Sequence, residues 1–207
     1  VARAAAGPAR RPRRPADPVR LGGVGALVAW KRWDLVLAAL ASLPAPVRAR
    51  VRFDQIGAPA NDAASRHHAA ELRRQTTLRG LADIVTWRGE QPSAEPLLRE
   101  VDCLVVASRH EPLSVALLEA LRAGVPVVAS RSGGNCDLLT EGRNGWFFAP
   151  DDAADLARVI ARLVEGDALA RVEVRPADLA RFEAGPVAEE WARIYQRLLG
   201  SAAEHRP

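Results

Sequence analysis

The sequence predicts an α/β fold, a Rossmann-like parallel sheet with helices on both faces. Cys103–Val106 and Pro126–Ala129 are short apolar runs without polar alternation, which is typical of strands buried on both faces. Segments with apolar residues at helical spacing separate these runs, and this alternation indicates strand–helix–strand units. A chain of 207 residues is long enough for one such domain with tails.

The first half of the chain predicts three strand–helix pairs. The predicted strands are Ala26–Ala29, Arg50–Ile56 and Ile84–Trp87. The predicted helices are Asp34–Ser42, Asp62–Leu81 and Pro92–Glu100. Gly23-Val-Gly25 would precede the first strand, and no third glycine opens the next helix. We therefore reject a dinucleotide-binding fingerprint at this position.

The second half begins with a strand and a loop that leads into a helix. Pro112 fixes its own φ and favours an extended Glu111, so Ser114 is the expected N-cap of a helix that Gly124 ends. The predicted strands are Cys103–Val106, Pro126–Ala129 and Trp146–Phe148. The predicted helices are Ser114–Ala123, Asp151–Glu165 and Pro186–Leu199, the last with one apolar face.

Composition divides the chain into three parts. Residues 1–20 are rich in Pro, Ala and Arg and carry a net charge of +5, whereas the whole chain carries +4. We expect a flexible basic leader or linker at 1–20, one domain at 21–170 and a C-terminal helical tail at 171–207. The remainder is nearly neutral, and no aromatic residues are interleaved with the leader's arginines. This pattern argues against a nucleic-acid partner.

Several other classes of protein are disfavoured by the sequence. No segment approaches the ~18 apolar residues of a membrane span, and the first residues lack the apolar stretch of a signal peptide. The two cysteines, Cys103 and Cys136, predict neither a disulfide framework nor a zinc site, and no group has metal-ligand spacing. We expect a cytoplasmic protein with no transmembrane segment, and association with a membrane face stays open.

Two carboxylates mark the ends of a loop-to-helix transition that is otherwise apolar. Glu111 and Glu119 are eight positions apart, which places their carboxyl groups on the order of 10 Å from each other. A retaining glycosidase needs its two carboxyl groups only ~5–5.5 Å apart. The two acids are therefore expected to touch different parts of one long ligand. The alternative is a loop charge and a residue at the solvated rim of a helix.

Two more loops carry candidate residues. Lys31 is the only lysine in a chain whose other cationic side chains are arginine, and it suits a compact point charge on phosphate, although a helix-entry cation is the alternative. Gly133 and Gly134 follow a strand, where ligands bind in open α/β sheets, and would permit close approach of a phosphate or sugar, or form a structural turn. His110 is a minor candidate for a sugar contact.

Glu111 and Glu119 are embedded in EPLSVALLEALRAGVPVVAS, and SGGNCDLLTEGRNGWFFAPDD follows. With these strings the chain resembles the donor-binding half of the retaining glycosyltransferases of family 4, also called glycosyltransferase group 1, which have the GT-B architecture. The resemblance covers roughly Gly23 to Val164. A Glu-x7-Glu spacing alone is a weak signal, whereas a match of this length, including Asn144-Gly145, is specific.

The resemblance implies a role for each candidate residue. Glu111 would bind donor-sugar hydroxyls and position the anomeric centre, and Glu119 would accept hydrogen bonds from the ribose. Lys31, helped by Arg32, would neutralise the diphosphate as the chief catalytic contribution. Backbone N–H groups would hold phosphate and sugar, and one strand end would lie beside the nucleotide base. These backbone and base contacts would come from Leu113, Ser114, Val115, Arg88 and Gly89.

The resemblance also implies the ligands and partners. The donor substrate would be a UDP- or GDP-sugar, with no tightly bound cofactor and no metal. The acceptor, a sugar, lipid or other small molecule, would be bound by a second Rossmann-like domain on the N-terminal side. That domain is not present in this sequence, which begins at Val1 and contains no methionine, so we expect a fragment with little activity alone.

The chain departs from the family pattern at three positions. Ala26 stands where the family usually has the second diphosphate-binding arginine, Ser114 where many relatives have glycine, and Asp137 where many have glutamate. Two other functions therefore stay open. One is a non-catalytic nucleotide-sugar binding module, and the other is an epimerase or hydrolase on the same architecture.

Overall fold

The computed structural model describes residues 17–109 and 111–203. Within these residues, six parallel strands form one sheet in the order β3-β2-β1-β4-β5-β6. The strands are β1 (Val19–Val24), β2 (Val51–Ile56), β3 (Val85–Trp87), β4 (Cys103–Val106), β5 (Val127–Ser130) and β6 (Gly145–Phe148). The order reverses between β1 and β4, which is the point where ligands bind in doubly wound sheets. The predicted fold class is confirmed.

Helices cover both faces of this sheet. The α-helices are α1 (Trp33–Ser42), α2 (Ala45–Arg48), α3 (Ala63–Leu78), α4 (Glu95–Glu100), α5 (Val115–Arg122), α6 (Asn135–Leu138), α7 (Ala153–Glu165), α8 (Ala168–Arg171) and α9 (Ala184–Ala203). Short 3₁₀ helices span Ala29–Lys31 and Pro176–Phe182. Helices α1, α2, α3 and α7 bury apolar residues on one face, and α4, α5 and α6 do so on the other.

The strands supply alternate residues to these two cores. In β4, Cys103 and Val105 point to the α1 side, whereas Leu104 and Val106 point to the α5 side. All four are buried, as expected for a central parallel strand with helices on both faces. Continuous apolar runs therefore have the period-2 geometry of a strand without showing polar alternation.

The prediction of a first strand at Ala26–Ala29 is wrong. The strand is β1, Val19–Val24, and Ala29 begins a 3₁₀ helix. Two glycines, Gly22 and Gly23, make β1 look unlike a strand in the sequence, but the packing requires a glycine at position 23. A Cβ on Gly23 would lie 2.8 Å from ring atoms of both Trp33 and Phe53, too close for any side chain. Gly25 consequently follows a strand, contrary to the expectation for Gly23-Val-Gly25.

The ends of the chain also differ from the simple division into three parts. Strand β1 begins at Val19, inside the stretch assigned to the leader, while residues 1–16 and His110 lie outside the described residues. Leu179, in the stretch assigned to the tail, is buried in the core on the α5 side. On α9, Trp191 and Tyr195 are exposed. No helix of the described residues is both long and apolar enough to cross a membrane.

Candidate functional site

Lys31 and Glu111 form an ion pair at the carboxyl edge of the sheet. Lys31 lies in the segment after β1, and Glu111 lies in the segment after β4, so the pair bridges the position where the strand order reverses. Lys31 Nζ lies 2.8 Å from Glu111 Oε2. The side chains are only 14% and 10% exposed, which limits screening of the pair by water.

Trp30 covers the same ammonium group. Lys31 Nζ lies 4.2 Å from the centroid of the Trp30 ring, within the range of a cation–π contact. Trp30 is 48% exposed, so solvent still reaches this side of the pair. Sequence reasoning did not single out Trp30, because only its position next to Lys31 would have marked it.

The segment that carries Lys31 is held by side chains that contact its backbone. Gly25 has φ +144°, and a Cβ on it would lie 3.2 Å from Lys31 Cε, so the lysine stem rests against the bare glycine backbone. The buried Trp33 donates its indole N–H to the carbonyl of Ala26 at 2.9 Å. The buried Gln55 donates to the carbonyl of Gly25 at 2.6 Å. These contacts set where the ammonium group lies.

The loop that carries Glu111 packs directly on the glycine loop. Gly133 has φ +53°, and a Cβ on it would lie 2.0 Å from the carbonyl oxygen of Glu111. A Cβ on Gly134 would lie 2.1 Å from the carbonyl oxygen of Pro112, and the Gly134 N–H donates to Glu111 O at 3.2 Å. The glycines therefore allow two backbone segments to touch, which explains the Gly-Gly pair without a bound ligand.

Helix α5 begins as the sequence predicted. Ser114 is its N-cap and accepts a hydrogen bond from Leu117 N at 3.3 Å, and Gly124, with φ +72°, follows its last residues. Within the described residues, the N–H groups of Leu113, Ser114 and Val115 have no hydrogen-bond acceptor. These amides and the positive end of the helix can receive an anion.

A cleft of about 390 Å³ lies at the carboxyl edge of the sheet. It is formed by the segments that follow β1, β2 and β3, including Gly25, Gly57 and Glu90, and by Glu119 of α5. Its size is within the range of small-ligand pockets. Neither Lys31 nor Glu111 lines the cleft, but Gly25 does, and Gly25 also contacts the Lys31 stem.

Arg88 lies away from this cleft. Its guanidinium donates to Asp54 Oδ1 at 3.1 Å and to Glu100 Oε2 at 2.7 Å. The pKa of Arg88 is raised, chiefly by the hydrogen bond to Glu100, with Asp54 adding to the effect. The neighbouring Gly89 has φ +72°, and its carbonyl accepts from Gly57 N at 2.7 Å at the cleft rim. The arrangement gives Arg88 ion-pair partners within the fold.

Arg32 also has partners within the protein. Its Nε lies 3.2 Å from Asp34 Oδ1, and its Nη1 forms an ion pair with Asp151. The structure thus directs Arg32 toward two carboxylates, whereas the sequence suggested that it supplements Lys31 at the diphosphate. No group of three or more metal-ligating side chains occurs in the described residues.

Comparison with known proteins identifies the family of this chain. Residues 9–175 match the family described as glycosyl transferases group 1. The chain belongs to this family. Its six-stranded parallel sheet with helices on both faces is that of a GT-B glycosyltransferase domain.

Curated relatives are glycosyltransferases of several kinds. The chain is 36% identical to the lipopolysaccharide core biosynthesis glycosyltransferase LpsE of Rhizobium meliloti over 98 residues, which cover 47% of this chain and 29% of LpsE. It is 33% identical to the D-inositol 3-phosphate glycosyltransferase of Thermomonospora curvata over 157 residues, which cover 72% of this chain and 35% of that enzyme. The chain spans about a third of the length of these relatives.

A solved structure supports the fold over most of the chain. The structure of Anabaena HepE in complex with UDP matches with a TM-score of 0.76 at 25% sequence identity. The match covers 88% of this chain and 50% of HepE. HepE has also been solved with UDP and glucose and with UDP-glucose.

Proposed function

We propose that this chain is the donor-binding part of a retaining glycosyltransferase that takes a sugar from a nucleoside-diphosphate sugar. The observation that carries the proposal is the buried Lys31–Glu111 pair beside a cleft that contains Glu119. We propose that one donor molecule contacts this cation, both carboxylates and the amides at the start of α5 that have no acceptor within the described residues. Membership of the family and the UDP complexes of HepE support this assignment.

In this proposal, the diphosphate lies between Lys31 and the start of α5. The ammonium group neutralises one phosphate, and the amides of Leu113 to Val115 donate to the other oxygens. Negative charge accumulates on the leaving diphosphate as the bond between the anomeric carbon of the donor sugar and the diphosphate oxygen breaks and the acceptor oxygen bonds to that carbon. Preorganised positive groups at this position stabilise the transition state more than the ground state.

The remainder of the donor occupies both sides of this phosphate position. The nucleoside enters the cleft of about 390 Å³, where Glu119 accepts hydrogen bonds from the ribose hydroxyls. The sugar lies on the side of Glu111, whose carboxylate binds sugar hydroxyls and fixes the anomeric centre. The two glutamates thereby hold opposite ends of one ligand. They do not act together as the acid and base of one proton transfer.

The acceptor site is proposed to belong to another part of the transferase. The chain spans about half the length of HepE, and a Rossmann-like acceptor domain on its N-terminal side would complete a GT-B enzyme. We propose an acceptor that is a sugar, a lipid or another small molecule. We place the protein in the cytoplasm, and at the membrane face if the acceptor is a lipid.

Calorimetric titration of the chain with UDP, GDP and ADP tests this proposal. We expect saturable one-to-one binding with a preference for UDP or GDP, and the preferred base identifies the donor class. Circular dichroism of the same sample establishes that the chain is folded. A folded chain that binds none of the three diphosphates would contradict the donor-site assignment.

A further inference from the structure

Two arginines from different loops bind the single carboxylate of Asp151. Arg109 Nε lies 2.9 Å and Arg109 Nη2 2.8 Å from Asp151 Oδ2, and Arg32 Nη1 pairs with Oδ1. Asp151 follows β6, Arg32 follows β1, and Arg109 follows β4. One side chain therefore joins three loops at the carboxyl edge of the sheet.

The two arginines flank the proposed catalytic pair. Arg32 directly follows Lys31, and Arg109 lies two positions before Glu111. A backbone hydrogen bond also joins the two loops, from Arg109 N to the carbonyl of Trp30 at 2.8 Å. The contacts to Asp151 thus act on the same two segments that bring the Lys31 ammonium and the Glu111 carboxylate together.

The backbone at both ends of this contact is strained. Arg32 has φ +57° and Asp151 has φ +60°, and they are the only non-glycine residues with positive φ in the part of the chain that is described. Such conformations persist when surrounding contacts overdetermine them, and they cluster at functional sites. Strain at two residues that bind each other indicates that the ion pair holds the two turns in place.

We propose that Asp151 is a positioning residue for the Lys31–Glu111 pair. By binding Arg32 and Arg109, its carboxylate fixes the distance between the two loops. It also keeps the Arg32 guanidinium turned away from the diphosphate position, so Lys31 is the cation that faces the donor. The link to donor binding rests on the proposed function, whereas the link between the loops does not.

Two variants separate the carboxylate from the backbone. Asp151→Asn removes the charge and keeps a side chain that tolerates positive φ. Asp151→Gly also removes the carboxylate but relieves the backbone strain. Asp167→Asn is the matched control, because Asp167 forms an exposed ion pair with Arg171 near α8.

Amide hydrogen exchange at Arg109 N–H measures the loop contact without any ligand. We expect both Asp151 variants to exchange this amide about tenfold faster or more, while Asp167→Asn leaves the rate unchanged. Asp151→Gly should speed exchange of the Arg109 amide without lowering the melting temperature. That result would show that the carboxylate positions the loops and is not needed for the stability of the whole fold. An unchanged rate in both Asp151 variants would overturn the proposal.

UDP titration of the same proteins tests the consequence for the donor site. We expect several-fold weaker UDP binding by both Asp151 variants and none of this loss in the control. If the parent chain binds UDP and the variants bind it equally well, Asp151 does not position the pair and the proposal fails. If the parent chain does not bind UDP, the proposed function fails, and the exchange rate alone decides whether Asp151 holds the loops.

Discussion

The ammonium group of Lys31 lies 2.8 Å from a carboxylate oxygen of Glu111, a residue 80 positions away in the sequence. The two side chains are only 14% and 10% exposed, so the charges interact in an environment of reduced dielectric constant. The donor diphosphate would therefore meet a lysine whose charge is already balanced. Binding must redistribute the contacts of Lys31 between Glu111 and phosphate.

Replacing Glu111 with glutamine should tighten the binding of UDP, although Glu111 belongs to the proposed donor site. UDP lacks the transferred sugar that the Glu111 carboxylate would hold, and removing the negative charge frees Lys31 and ends repulsion of the phosphate. We expect an increase in affinity of about three- to tenfold by calorimetry. The control is Glu71→Gln on α3, an exposed carboxylate paired with Arg74. Weaker UDP binding by Glu111→Gln would contradict this electrostatic competition.

Replacing Glu119 with alanine tests the ribose contact. Hydrogen bonds to a charged carboxylate contribute about 1.5–3 kcal/mol each, so Glu119→Ala should weaken UDP binding at least about tenfold. The variant should also lose the ability to distinguish UDP from 2′,3′-dideoxy-UDP. If the parent and the variant discriminate equally between these two ligands, Glu119 does not contact the ribose.

Substituting alanine for Gly133 should disrupt the Glu111 loop. The new Cβ would lie 2.0 Å from the carbonyl oxygen of Glu111, and the positive φ adds strain. We expect the free energy of unfolding, measured by urea denaturation, to fall by about 2–5 kcal/mol. Gly142→Ala is the matched control, because Gly142 has φ +75° but nothing lies within 4 Å of its added Cβ. Gly142→Ala should lower the free energy of unfolding by only about 1–2 kcal/mol. An equal loss in Gly133→Ala and Gly142→Ala would refute the close backbone packing at Gly133.

Arg88→Ala should lower stability without changing donor affinity. The substitution leaves the buried Asp54 without its arginine partner, which should cost about 1–3 kcal/mol of unfolding free energy. Because the guanidinium contacts Asp54 and Glu100, UDP affinity of the folded variant should remain within about twofold of the parent. A large loss of UDP affinity at unchanged stability would instead indicate that Arg88 contacts the donor.

Local patterns predicted most of the fold. Strand β4 has the predicted bounds, Cys103–Val106, and Ser114 caps α5 as expected from the preceding Pro112. The failure at β1 has a physical cause. Gly22 and Gly23 weaken a strand on propensity, and only the packed rings of Trp33 and Phe53 show why no side chain fits at Gly23.

Contacts between distant residues explain what the sequence did not predict at the site. Arg32 and Arg109 find Asp151, and Arg88 finds Asp54 and Glu100, through the sheet topology. Charge alone marks all three arginines as equally good phosphate ligands. Which cation stays available to a ligand depends on such contacts with distant carboxylates, and a local sequence pattern does not predict those contacts.

We propose Lys31 as the cation for the donor diphosphate, and a comparison of UDP with UMP isolates this role. Titration of the parent chain should show UDP binding more tightly than UMP, because a charge-assisted hydrogen bond to the second phosphate is present. In Lys31→Ala the ratio of the two affinities should fall at least about tenfold, whereas Arg158→Ala, which removes an exposed cation on α7, should leave it unchanged. If the ratio is the same in the parent and in Lys31→Ala, Lys31 does not contact the second phosphate.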